Sequence, residues 1–356
     1  MQTQILKCLQ KIRKYGTITD YELVDLNHNQ MILDRDSLKH AIKTKRVFVV
    51  NLKLTSDDKL IDCESNITNI IKYTKYYYKV SALFNMSTVE CILDFDRDEV
   101  IISKINVKGD KVIIPDFVTG VDENIKFEVY DRSIRRLQVI HKNNQMKSMK
   151  KLFYNLSMDI IDLSEFDTRG VTNFSYMFYN CTRTTKIIFG KEFDTSSAVN
   201  MESMFTTMFM IKELDLRFFD VHNVKYMNSL FEACLNVQKI NIDGWNTQNV
   251  INMASMFKTC KELKEIVGLN KLKANNLQDM SYMFCECDKL EFISLRGMYT
   301  PNLKSMEYTF CRCSSLQGVN LCNFSLFGKV SLYEVAHLCN IEQEIVRQLS
   351  EIASRK

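Results

Sequence analysis

A chain of 356 residues is too long for one small core, and predicts two or three domains or one domain joined to a repeat array. Hydrophobic residues make up 46% and charged residues 25%, as in ordinary soluble proteins, and a net charge of +4 gives no electrostatic ground for a nucleic-acid or membrane partner. With only 2 Pro and 10 Gly there is no flexible linker, and no apolar run is long enough to span a membrane. The first residues carry no apolar core of a signal peptide, so the sequence predicts a cytoplasmic protein whose 12 Cys are thiols.

From the N-terminus, residues 4–15 form a basic amphipathic segment with Ile5, Leu9 and Ile12 on one side. Residues 21–26 read as a strand, Asn27, His28 and Asn29 as a turn, 38–43 as a short helix and 47–52 as a second strand. This predicts a small α+β domain over 1–62. Residues 63–145 read as an irregular β-rich entry region that caps the rest of the chain. Within it, Asp94, Asp96 and Asp98 have the opening spacing of a calcium loop. Glu99 and Ile105 stand where that loop needs Gly and Glu, so the run is read as turn chemistry. Lys72, Lys75 and Lys79 interleave with Tyr73, Tyr76, Tyr77 and Tyr78. Farther on, Arg132, Arg135, Arg136, Lys142, Lys147, Lys150 and Lys151 occur with no Asp or Glu between the first and the last. Cations beside rings suit single-stranded nucleic acid, and a solvated face gives the same composition.

A repeat governs residues 146–330. The pair Met177-Phe178 recurs as Met204-Phe205, Leu230-Phe231, Met256-Phe257, Met283-Phe284 and Thr309-Phe310 at steps of 26 or 27 residues, with a weaker copy at Leu152-Phe153. That makes seven coils. Three residues before each pair stands Met149, Phe174, Met201, Met227, Met253, Met280 or Met306. Four after its first member stands Leu156, Cys181, Met208, Cys234, Cys260, Cys287 or Cys313. Apolar residues at i, i+3, i+4 and i+7, as in Met201, Met204, Phe205 and Met208, predict one face of a helix. Alternating runs such as Leu214-Asp215-Leu216 and Ile240-Asn241-Ile242 predict short strands. The copy at Ile266-Val267-Gly268 is degraded. Asn173 reads as a helix N-cap, and Asp167-Thr168 as a turn. One strand and one helix bury both faces only when stacked on neighbours, which gives a solenoid.

The stretch from Ile161 through Phe166-Asp167-Thr168 and Val171-Thr172-Asn173 to Met177-Phe178 and Cys181 resembles the BspA-type leucine-rich repeat, LDLSxFDTSxVTNMSxMFxxC. The resemblance implies a right-handed, parallel strand-and-helix α/β solenoid that binds proteins or other macromolecules. Many relatives are bacterial surface proteins; this chain departs from them in having no export signal. Upstream, Ile114-Pro115-Asp116-Phe117-Val118 resembles the opening of a related repeat class. Over 331–356, Ile341, Ile345, Leu349 and Ile352 predict an amphipathic helix that caps the last coil.

The outward strand positions are the candidate binding residues: Asp162, Ser164, Asp215, Arg217, Asn241, Asp243, Ser294, Arg296 and Asn320. The Cys column invites zinc through Cys285, Cys287, Cys311 and Cys313. Residues two apart on a helix point about 200° apart, and Met208 and Leu156 fill the same slot, so the column reads as a buried ladder with no metal. The five His (His28, His40, His141, His222 and His337) are scattered, and no phosphate-loop or nucleophile motif occurs. The sequence therefore predicts a non-enzymatic scaffold for a protein partner, with no cofactor. A nucleic-acid-associated protein of a mobile element, using 132–151, and a surface adhesin are the alternatives.

Overall fold

The computed structural model describes residues 99–107, 109–114, 118–129, 133–142 and 146–354, together with the backbone of six earlier strands. The chain divides into two compact units: residues 1–147 with 162–167, and residues 148–161 with 168–356.

In the first unit, β1 (Thr17–Asp25), β2 (Gln30–Met31), β3 (Phe48–Ser56) and β4 (Lys59–Cys63) form an antiparallel sheet in the order β2-β1-β3-β4. The strands expected at 21–26 and 47–52 overlap β1 and β3 at 21–25 and 48–52, and residues 26 and 47 lie outside the described residues. A second sheet runs β5 (Tyr77–Phe84), β6 (Ser87–Asp94), β7 (Glu99–Val107) and β9 (Gly120–Val129), the last pair parallel. Between the last two in sequence, β8 (Lys111–Ile113) pairs in parallel with β10 (Arg136–Ile140). The amphipathic segment 4–15, the turn 27–29, the helix expected at 38–43, the Lys/Tyr residues 72–76, Asp96, Asp98 and Arg132 lie outside the described residues.

The second unit is a β-solenoid. Its short strands follow the repeat: β12 (Lys186–Phe189), β13 (Glu213–Asp215), β14 (Lys239–Asn241), β15 (Glu265–Val267), β16 (Phe292–Ser294) and β17 (Gly318–Asn320). β11 (Ile160–Leu163) precedes them. Equivalent residues pair in parallel register, Leu214 with Ile240, Ile240 with Ile266, and Ile293 with Val319. Alternate residues Leu214 and Leu216, Ile240 and Ile242, and Ile293 and Leu295 are buried, as a two-residue period requires.

The helix expected over each Met-Phe arm is not formed. Each arm is instead a pair of tight turns. In the second coil, Met177 N–H donates to Phe174 O and Cys181 N–H to Phe178 O, at 3.1 and 3.2 Å. The third residue of each turn is left-handed: Tyr176 (φ 59°) and Asn180 (φ 59°). A positive φ there and an i to i+3 bond define a type II turn. Ser229 and Ala233, Ser255 and Thr259, and Tyr282 and Glu286 repeat the pair. Between the turns, Phe174, Tyr176, Phe178 and Asn180 donate their N–H groups to the carbonyls of Asn200, Glu202, Met204 and Thr206, one coil on, at 2.8 to 2.9 Å. A left-handed residue every fourth position breaks a helix, and alternate N–H groups are already spent on the neighbouring coil. Two successive three-residue corners put apolar side chains inward at the same 3-1-3 spacing as a helix, so the apolar spacing is real and the backbone that produces it is a pair of turns. The fold is a β-solenoid, and the α/β strand-helix repeat is corrected accordingly.

Among the described residues the coils number eight, with turns starting at Met149, Phe174, Met201, Met227, Met253, Met280, Met306 and Leu332. Leu332, Val335, Ala336 and Cys339 repeat the spacing of Met306, Thr309, Phe310 and Cys313 without an aromatic, which hid the eighth copy. The C-terminal helix, α1 (Glu342–Ser354), therefore begins later than 331; it buries Ile345 and Leu349.

Inside, equivalent side chains stack in columns. Phe153, Phe178, Phe205, Phe231, Phe257, Phe284 and Phe310 form a continuous ring stack with centroids 5.4 to 5.9 Å apart. The residue expected as a helix N-cap does related work: Asn173, Asn200, Asn252 and Asp279 accept the backbone N–H two residues on. At the degraded strand, Gly268 (φ 91°) lets the backbone pass Asp243, where a Cβ would stand 2.6 Å from its Cα. A 3-10 turn, Leu269–Lys271, absorbs the extra residue of that coil.

Candidate binding surface

Inward positions of every coil are filled by apolar columns, so the chemistry available to a partner is that of the outward positions. The thiols expected to form a ladder do so, each with a defined acceptor. Cys181, Cys234, Cys260, Cys287 and Cys313 point their sulfur atoms at the carbonyls of Phe153, Phe205, Phe231, Phe257 and Phe284, at 3.0 to 3.1 Å. Burial pushes the Cys181 and Cys234 thiols up to about 12, so they stay protonated and able to donate. A thiol committed to a carbonyl is a structural group, and Met208 and Leu156 fill the slot without that bond. Threonine forms a second ladder, from Thr168, Thr195, Thr247 and Thr300 to the carbonyls of Asp194, Asp220, Lys273 and Ser325. Asparagine forms a third, from Asn223, Asn249, Asn276 and Asn302 to the carbonyls of Ser196, His222, Gln248 and Asn275.

The predicted outward residues divide into three groups. Asp162 is fully buried, against expectation. Arg136 Nε donates to it at 3.1 Å, a second guanidinium nitrogen joins it, and the Ser164 N–H donates at 2.9 Å. Burial acts to raise this carboxyl, and these donors outweigh it and hold it below the usual range. Asp162 is thus a structural anchor of the first unit, and Ser164 beside it is exposed.

The second group is paired on the surface. Asp215 is bound in a fork by Arg217, at 2.9 and 2.6 Å, which lowers its pKa. Asp243 is held by Lys271 at 2.7 Å. In the adjoining column Lys239 meets Glu265 at 2.8 Å. Asn241 is half-buried, and its side-chain oxygen accepts the Asp243 N–H at 3.2 Å. These coils neutralise most of the charges on this face.

The third group has no ion pair among the described residues, and Asn320 accepts the Cys322 N–H at 3.1 Å. Arg296 and Asn320 are exposed and Ser294 is half-buried. Sequence reasoning missed their neighbour Phe292, which is 68% exposed, the highest value among the large hydrophobic side chains described. Its signal was present, because Ile293 and Leu295 face inward and alternation then turns Phe292 outward.

The basic segment is only partly available. Arg136 is committed to Asp162, Lys142 to Glu165 at 3.4 Å, and Lys151 Nζ lies 5.5 Å over the Tyr154 ring. Arg135 and Lys147 are exposed, and Lys150 is half-buried. Among the described residues, no helix is long and apolar enough to cross a membrane.

Residues 147–267 and 231–331 match the family model described as "Mycoplasma protein of unknown function, DUF285". The two stretches together cover just over half of the 356 residues, and the chain belongs to this family. No curated protein and no solved structure matches the chain.

Proposed function

Starting from membership of that family, we propose that the chain is a non-enzymatic binding scaffold that presents the outer face of its solenoid to a protein partner. One observation carries the reading: the inward side chains, the main chain and three side-chain ladders are spent on joining coil to coil. The outward strand residues are left over from that joining, and they differ from coil to coil. An extended face of that kind is what solenoids use for recognition. The motif of the repeat is of the BspA type, and its action requires no cofactor. We place the protein in the cytoplasm, where twelve thiols persist.

The test is an affinity pull-down from cell lysate, with and without nuclease. The full chain is compared with a variant carrying Asp215→Ala, Arg217→Ala, Asp243→Ala and Arg296→Ala. The scaffold reading expects a nuclease-indifferent protein that the variant fails to retain. Retention of nucleic acid equally by both chains would move the site to residues 132–151 and overturn the reading.

A further inference from the structure

The outer strand face changes character along the repeat. From β13 to β15 most of its charges are matched within the chain, Asp215 with Arg217, Lys239 with Glu265 and Asp243 with Lys271, with Glu213 the exception. At β16 and β17 this matching stops. Phe292 replaces the charged residue of the column, and its ring lies across Gly318 of the next coil, 3.3 Å from where a Cβ would stand. A side chain at 318 would push the ring by a few tenths of an ångström; glycine leaves room for it to lie against the next coil. Ser294 sits opposite Asn320 beside it, and Arg296 ends the row, exposed and without an ion pair among the described residues.

Resting on the scaffold reading, we propose that this pad is the recognition point, and that it takes an extended segment of a partner protein bearing an apolar side chain and a carboxylate four residues later. The ring supplies apolar area that gains from being covered, and the guanidinium supplies a forked donor that suits a carboxylate. Phe292 lies in β16 and Arg296 in the turn two residues past its end; four residues of chain span at most about 13 Å, within the reach of a four-residue step in an extended partner. In the matched coils Arg217, Lys239 and Lys271 would each have to leave an existing mate to meet a partner's carboxylate. Exposed aromatic and arginine side chains are also the types that dominate binding energy when buried.

The probe is an array of 12-residue peptides carrying Leu or Phe at one position and Asp or Glu four later, beside the same peptides with Lys in place of the acid and beside a 12-nucleotide polyuridine. The full chain is expected to bind the acidic set. Phe292→Ala, on an exposed side chain, weakens it about 10- to 100-fold, Arg296→Glu transfers the preference to the lysine set, and Lys191→Glu changes nothing. Equal binding of acidic and lysine peptides, no peptide binding, or better retention of polyuridine would overturn the assignment. A lysate protein still held by Phe292→Ala as by the parent would sink the pad and leave the scaffold standing. If the lysate also yields nothing, both fall.

Discussion

Substitution at Ala233 separates the turn from the helix by sign. Ala233 has φ 56° and is the third residue of the turn that Cys234 N–H closes on Phe231 O, at 3.2 Å; its own N–H reaches Lys258 O at 2.8 Å. An L-residue in the left-handed region costs about 1–2 kcal/mol, which glycine avoids. Glycine returns about 0.4–1 kcal/mol through the greater freedom of the unfolded chain, and losing a half-buried methyl costs roughly 0.4 kcal/mol. Taking midpoints, Ala233→Gly stabilises by about 0.5 kcal/mol, a rise of about 1–2 °C in Tm for a unit of this size. Asparagine tolerates the same φ, as Asn155 and Asn180 show at the equivalent position of earlier coils. Ala233→Val puts a β-branched side chain where it clashes. The turn therefore orders the variants with Gly and Asn at or above Ala, and Val last. A helix orders them Ala first, Val and Asn together, and Gly last by about 1 kcal/mol. Urea unfolding followed by circular dichroism, at constant m-value, measures the order. Glycine as the least stable variant would refute the turn assignment.

Mass-resolved alkylation of the native protein at pH 8 should label Cys322 first among the described cysteines, because it is the exposed one; Cys181 and Cys234 should react only on unfolding, and early labelling of either would contradict the ladder. Asp162→Asn should destabilise the first unit by about 1–3 kcal/mol by removing charged hydrogen bonds. The folded carboxyl lies below its unfolded value, so the wild-type contribution is present above about pH 3.9 and is lost as the pH falls through the lower folded pKa. A variant with the same acid-limb profile as the parent in pH-dependent unfolding would refute this. Thr247→Val should cost about 1 kcal/mol in urea unfolding, through the carbonyl of Lys273 left without its donor.

The repeat length, the inward columns and the strands were legible because each depends on which residues are apolar and how far apart they stand. Met201, Met204, Phe205 and Met208 face inward as expected. Their backbone was not legible, because the left-handed positions hold Ser, Thr, Tyr, Glu and Ala more often than Asn, and never Gly. In the first seven coils bonds to the next coil hold those residues in that conformation, and such bonds join residues 24 to 26 apart. The candidate face was half legible: alternation turns Asp215, Arg296 and Phe292 outward, while the ion pairs that occupy Asp215 and Asp243 depend on neighbours that no single strand reveals. Asp162 failed for the same reason, since its partner Arg136 lies 26 residues earlier.

Coil-to-coil bonding also fixes how damage spreads. Each phenylalanine inside the central stack touches the ring before and the ring after it, so Phe257 lies 5.6 Å from Phe284 and 5.5 Å from Phe231. Removing one ring costs about 3–5 kcal/mol and leaves a void that its neighbours line. A second removal next to it enlarges the same void and severs a contact already lost, so it costs less than it would alone. Phe257→Ala with Phe284→Ala should therefore fall short of the sum of the single changes by about 0.5–3 kcal/mol. Phe205→Ala with Phe310→Ala acts four coils apart, roughly 19 Å at the spacing of paired strands, and should add to within about 0.5 kcal/mol if unfolding stays cooperative. Milder Phe→Leu changes keep all variants folded enough to measure. Equal coupling in the near and the far pair would mean that the unit responds as one globular core, and would refute a stability built from nearest-neighbour coils.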